Sequence, residues 1–113
     1  MVRKTNIKHG EKTMTNFEET LSNYVYYIQK LINANYAENL KNLTAPVVKV
    51  KKGRRFMKVV RGSSVHSFVE IKTGNVYKAA SYKAAEMNHV RANIYDYESL
   101  KRGVDDHGAA YLR

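Results

Sequence analysis

An α+β domain is the fold class this sequence predicts: an N-terminal amphipathic helix packed on a four-stranded antiparallel meander, then a short C-terminal helical or extended element. Two observations carry that expectation. Apolar residues recur at three- and four-residue steps before Pro46 and at two-residue steps after it, and each break between the later runs holds a glycine. A chain of 113 residues with 43% hydrophobic content has the size and composition of one globular domain with a modest core.

Residues 1–13 (MVRKTNIKHGEKT) are polar, basic and aperiodic, and are expected to be a flexible or non-native tail ahead of a single domain at 14–113. Gly10-Glu11 back-translates to a purine-rich stretch shortly upstream of Met14, where a bacterial ribosome-binding site would lie, which makes Met14 a candidate start. Thr15 and Glu18 form a capping-box pair. From there Phe17, Leu21, Tyr24, Val25, Ile28, Leu31 and Ile32 mark one face of a helix. Tyr36 and Leu40 could extend it, but Asn33, Asn35 and Asn39 have weak helix propensity and predict a break near Asn35. Asn42–Pro46 ends the region, because the residue before proline is driven out of α geometry.

The strand runs follow. Val48 and Val50 alternate with Lys49 and Lys51, and Lys52-Gly53 supplies a turn into Arg54–Arg61. Gly62-Ser63-Ser64 leads to Val65–Ile71, with Val65, Ser67, Val69 and Ile71 on one face. Lys72-Thr73-Gly74-Asn75 is a tight hairpin signal before Val76–Ala80. Beyond it, Ser81 is a candidate cap for a short helix over Tyr82–Glu86, and Tyr97–Arg102 a candidate helical turn stopped by Gly103. Gly108–Arg113 is apolar enough to dock on the domain.

The net charge of +10 is local. Eleven of twenty basic residues lie between Val47 and Tyr95 against two acids, Glu70 and Glu86, and Val47–Arg61 holds seven Lys or Arg with no carboxylate. A field of one sign implies a polyanionic or phosphate-bearing partner. No apolar run approaches the roughly 18–20 residues of a spanning helix, and no secretory signal pattern is present. The absence of cysteine excludes disulfides, zinc–thiolate sites and cysteine nucleophiles, and fits a reducing compartment, so a cytosolic protein without membrane association is expected.

Two constellations could bind such a partner. The first is Lys49, Lys51, Lys52, Arg54, Arg55, Phe56, Lys58, Arg61 and Phe68. Alternation groups Phe56 with Arg54 and Lys58, and His66 with Phe68 on the following strand. Cations for phosphates, with Phe56, Phe68 or Tyr77 stacked on bases, suit single-stranded nucleic acid. The competing arrangement turns both phenylalanines to the helix and leaves the lysines as a solvated edge, although such faces usually mix signs. The second is Tyr77, Lys78, Ser81, Tyr82, Lys83, His89, Arg91 and Asn93. It could line a nucleotide pocket, with Lys78, Lys83 and Arg91 on phosphates, Tyr82 stacked on the base and Asn93 reading an edge, or be a surface segment with its tyrosines packed inward.

Catalytic chemistry finds less support. The histidines, His9, His66, His89 and His107, have no metal-ligand spacing, and the consecutive Asp105-Asp106-His107 reads as a loop. Neither a GxSxG elbow nor a GxxxxGK[ST] loop occurs. No enzyme, cofactor or metal is expected. Tyr26 and Tyr27 lie off the apolar stripe, where they either wrap the helix edges or contact a host protein or a second copy of the chain.

Lys52–Arg55, Ser64–Val69, Lys72–Ala84, Arg91–Asp96 and the terminal Gly108–Arg113 together resemble a widespread group of small uncharacterised tailed-bacteriophage proteins, over most of Val47–Arg113. The Lys72–Ala84 block is the most specific part. The group's pattern has tryptophan where Tyr82 stands and a proline near Ala85, and is one residue shorter between Ala84 and His89. The resemblance implies a phage gene expressed in the cytoplasm of an infected bacterium. The expected function is a non-enzymatic protein that binds single-stranded nucleic acid with low sequence specificity. The alternative is an anti-defence protein that sequesters a nucleotide immune signal or inhibits a host immune protein.

Overall fold

Five strands rather than four form the sheet, in the order β1 (Val48–Lys52), β2 (Phe56–Arg61), β3 (Ser64–Glu70), β4 (Asn75–Tyr77) and β5 (Ala92–Asn93), every neighbour antiparallel. The structure, a computed structural model, describes residues 9–109. The first eight residues of the expected tail, and Ala110–Arg113 of the expected C-terminal docking segment, lie outside the described residues. The fifth strand escaped sequence reading because two residues cannot display a period. It is added by pairing Asn75 with Asn93 and Val76 with Ala92 after a long excursion from β4.

Ahead of the sheet, α1 runs unbroken from His9 to Asn39. At 1.5 Å per residue it is about 46 Å long, matching the molecule's longest extent of 46 Å. It begins upstream of Thr15, so residues 9–13 of the expected tail are helical. A capping pair marks a permitted start, but Thr and Glu also fit inside a helix. Nor does the helix break at Asn35. The amide of Asn39 donates to Asn35 Oδ1 at 2.7 Å, and Asn35 donates to Asp106 Oδ2 at 3.2 Å. Side chains engaged with each other do not compete for the helix backbone, and Tyr36 packs against the core.

The core is the interface between α1 and one face of the sheet. Phe17, Leu21, Tyr24, Ile28 and Ile32 meet one residue from each strand: Val48, Val59, Val69, Val76 and Ala92. Gln29 fixes the edge strand to the helix, its amide donating to Pro46 O (2.9 Å) while its oxygen accepts from Val48 N (2.8 Å). Gly74, at φ 81°, makes the β3–β4 turn and lies so close under Tyr95 that a Cβ would meet the ring at 2.6 Å. The short α2 (Tyr97–Gly103) is capped by Asp96, whose carboxylate accepts from Ser99 N, and buries Leu100 in the same core.

His66 does not share a face with Phe68 as alternation predicts. Val59 pairs with Ser67 and Val60 with Val65, so His66 is the extra residue of a β-bulge. It is turned into the protein, 2% exposed. Its Nε2 lies 2.8 Å from the Asp105 carbonyl, and its Nδ1 2.8 Å from Ser67 Oγ, which is 2.7 Å from the Tyr24 hydroxyl. A carbonyl only accepts, so Nε2 carries the proton; when the ring is neutral, Nδ1 accepts from Ser67 and Ser67 accepts from Tyr24. Burial pushes the imidazole below its ordinary proton affinity, against the pull of the Asp105 carbonyl. This chain of hydrogen bonds ties α1, β3 and the 104–109 segment together around His66.

The expected helix over Tyr82–Glu86 is absent. Ala79 bridges Ala85, Ala80 N and Ser81 N both donate to Ala84 O, and Glu86 N donates to Lys78 O, which makes 78–86 an irregular hairpin. Ser81 accepts from Lys83 N within that turn (3.3 Å) rather than capping a helix. A run of about four favourable residues cannot nucleate a helix when the backbone has another partner.

Candidate nucleic-acid interface

The strand register lays the basic face out in rows. Lys51 pairs with Lys58, Lys58 with Phe68, and Phe68 with Tyr77, so these four residues cross β1 to β4 in one line. The next row toward the β1–β2 turn pairs Phe56 with Glu70. Directly paired residues share a face, and neighbours along a strand take opposite faces. Since Met57 and Val69 belong to the face under α1, the Lys51 and Phe56 rows face away from the helix. The sequence alternative that turned the phenylalanines toward the helix is thereby excluded.

Lys51 and Lys58 are like charges placed directly opposite, a destabilising pair in isolation. Tyr82 answers both. Its ring lies 3.9 Å from Lys58 Nζ, and its hydroxyl accepts from Lys51 Nζ at 3.3 Å. The 78–86 hairpin leaves β4 just after Tyr77 and places Tyr82 back over β1 and β2, so it crosses the sheet along this row.

Between that crossing and the β1–β2 turn lies a cavity of about 450 Å³. Six cations line it, Lys51, Lys52, Arg54, Arg55, Lys58 and Lys83, together with Gly53, Phe56 and Phe68. Phe56 packs edge-to-face on Phe68 (5.8 Å) and on Tyr77 (5.9 Å). Phe68, 3% exposed, forms the floor, and Tyr77, 6% exposed, lies beside it outside the lining, so neither is free to stack on a base. Phe56 is half-buried with the Arg55 guanidinium 5.1 Å from its ring, and Tyr82 is the exposed ring at the rim.

Glu70 brings a carboxylate to a region that has none in its own sequence. It accepts from Arg55 Nε at 2.9 Å and from Thr73 Oγ at 2.7 Å. The Thr73 hydroxyl first, and the Arg55 guanidinium after it, hold its carboxyl below the usual range against the effect of burial.

Of the first constellation, Lys51, Lys52, Arg54, Arg55, Phe56, Lys58 and Phe68 meet at this cavity. Lys49 lies on the same face, one row beyond Tyr82. Arg61 does not join them. It pairs with Val48, which places it on the α1 side at the end of the sheet, half-buried. The second constellation is dispersed. Lys83 lines the basic cavity and Tyr82 its rim, whereas Lys78 borders a different cavity beside His66, Asp105 and His107. Arg91 pairs with Glu86 through a short contact of 2.6 Å. Asn93 is bound into the turn by Asn75 Oδ1, Thr73 O and Tyr95 N. His89 is exposed, and Ser81 serves its own turn. Strand alternation found the sheet cations but not Tyr82 or Lys83, whose arrival depends on where a non-periodic hairpin folds.

Elsewhere, Asp105 Oδ1 accepts from His107 N and Gly108 N, and Asp106 engages Asn35, so this trio organises a loop. Among the described residues no group of three His, Cys, Asp or Glu could hold a metal ion, and no helix is long and apolar enough to cross a membrane. Of the α1 tyrosines, Tyr24 is buried, Tyr27 meets Tyr97 edge-to-face at 5.5 Å, and Tyr26 is exposed beside a cavity of about 370 Å³ between α1 and α2.

Fold and groove together define a small α+β domain, one sheet face under a helix and the other carrying a cation-lined concavity. Residues 3–111 match DUF7717, a family of unknown function, and the chain belongs to that family. No curated protein and no solved structure matches it.

Proposed function

We propose that the protein binds single-stranded nucleic acid, without catalysis and with little sequence preference, through the groove bounded by the β1–β2 turn and the 78–86 hairpin. The observation that carries this reading is six cations around one concavity with an aromatic floor. Phosphates meet Lys51, Lys52, Arg54, Lys58 and Lys83, and the rings of Phe56 and Tyr82 stand where a base would lie. Backbone phosphates are the same in every sequence, so such a surface discriminates poorly among bases. On the resemblance of the Lys72–Ala84 block, the same proposal places the protein in the cytoplasm of a phage-infected bacterium.

Binding through phosphates releases counterions. Affinity for a single-stranded oligonucleotide falls with salt by about 0.7 log units per phosphate contact per log unit of salt. Lys52→Ala with Arg54→Ala, both at the exposed turn, lowers that slope by about 1.4 and weakens all sequences alike. Fluorescence anisotropy across a salt series measures both quantities. Salt-independent binding, or none at low salt, refutes the reading.

A further inference from the structure

We propose that the groove seats the end of a strand rather than its interior: its ligand is a nucleotide carrying a terminal phosphate. This deepens the function proposed above and rests on it. Two observations lead to it, one about shape and one about charge.

The basic face is not a continuous track. The row Lys51–Lys58–Phe68–Tyr77 is the line over which the 78–86 hairpin crosses, and Tyr82 is held there by both lysines. Lys49 shares the face but lies beyond this crossing, outside the cavity. A strand running along β1 from the Lys52 turn toward Lys49 meets the Tyr82 ring within one residue pair. The hairpin therefore walls the cavity on that side.

Charge points the same way. A volume of about 450 Å³ lies in the lower part of the roughly 300–1,000 Å³ range of small-ligand sites, room for about one nucleotide. An interior nucleotide brings one negative charge. A terminal phosphate brings about −1.5 to −2 at neutral pH and three acceptor oxygens. Six cations, of which Arg55 is engaged by Glu70, converge on this small space. A doubly charged end satisfies more of them than an interior phosphodiester does. A free nucleotide with a terminal phosphate presents the same chemistry, and the experiment separates the two sources.

The test is competition against a fluorescent 5′-phosphorylated oligothymidine 12-mer. The unlabelled competitors are linear 12-mers with a 5′-phosphate, with a 3′-phosphate or with hydroxyl ends, circular single-stranded DNA at equal nucleotide concentration, and ADP. A circle has no end. One of the phosphorylated strands is expected to compete about tenfold better than the hydroxyl-ended strand and the circle, the worth of one added charge-assisted contact. If ADP matches that strand, the ligand is a mononucleotide; if ADP fails, it is a strand end. A circle that competes as well as the phosphorylated strands overturns the proposal and leaves nucleic-acid binding standing, whereas no binding by any probe overturns both. Tyr82→Ala opens the wall, so the circle should rise to parity with the phosphorylated strand. Tyr82→Phe keeps the ring over Lys58 and should retain the preference. An end preference untouched by Tyr82→Ala overturns the role of the wall.

Discussion

The face of the sheet turned to α1 and the face turned away from it are built from the same strands at alternate positions, yet they respond to opposite demands. Toward α1, one apolar residue from each strand meets a stripe of helix residues, and Tyr24, Ser67, His66 and the Asp105 carbonyl form one connected chain of hydrogen bonds. Away from α1, like charges stand directly opposite at Lys51 and Lys58, and a tyrosine from a loop is what relieves them. A sheet selected only for stability would not keep that pair. On the proposed function, the contrast gives stability to one face and recognition to the other, and that division can be broken by mutations that cross it.

Ile28→Ala should have the largest effect on stability. The side chain is wholly buried between α1 and the sheet, and truncation of such a residue costs about 2–5 kcal/mol. Chemical denaturation measures the loss, and oligonucleotide affinity at a temperature where the variant stays folded should be unchanged. A parallel loss of affinity would show that the two faces are not separable.

The buried histidine gives a pH-dependent test on the α1 side. Its folded proton affinity is lowered below the ordinary value of 6.5 by burial, with Asp105 and Asp106 opposing and Arg61 reinforcing the shift. As pH falls below 6.5, the unfolded chain takes up this proton before the folded one does. The contribution of His66 is therefore full above that pH and declines as pH falls toward the folded value. Denaturation midpoints between about pH 5 and 8 should show this decline, and His66→Gln should flatten it.

Glu70→Gln probes the other face and should have the smallest effect. It removes the carboxylate beside Arg55 while Gln can still accept from Thr73. Oligonucleotide affinity should rise about two- to threefold at low salt, and stability should fall by about 1 kcal/mol or less. Weaker binding would mean that Glu70 positions Arg55 rather than neutralising it.

The sequence made some of this legible and hid the rest for identifiable reasons. Period carries information wherever an element is long and one-sided, so the α1 stripe and the β1–β2 and β3–β4 hairpins are readable from spacing and glycine. A bulge breaks the period by one residue, which is why His66 reads as a surface residue and is in fact buried. The partners of Asn35 and Asn39 are set by tertiary contact, so their low propensity overstates a break. Glu70 is distant from Arg55 in sequence, and only the register Phe56–Glu70 reveals the neutralised charge. The arrival of Tyr82 and Lys83 depends on 78–86, a segment whose path follows from irregular backbone contacts that no residue pattern announces.

Each strand of this sheet pairs with its neighbours in the chain, so its closures from β1 to β4 are short, and such local connections form quickly. The β4–β5 closure is different, because it must first gather residues 78–91 into place. The wall of the groove belongs to this slower excursion and is held to the sheet by two lysine contacts on an exposed tyrosine rather than by core packing. Amide exchange should therefore find 78–90 opening at far lower free energy than β2 and β3, so that the proposed recognition surface is completed last and is the first part of the domain to come apart.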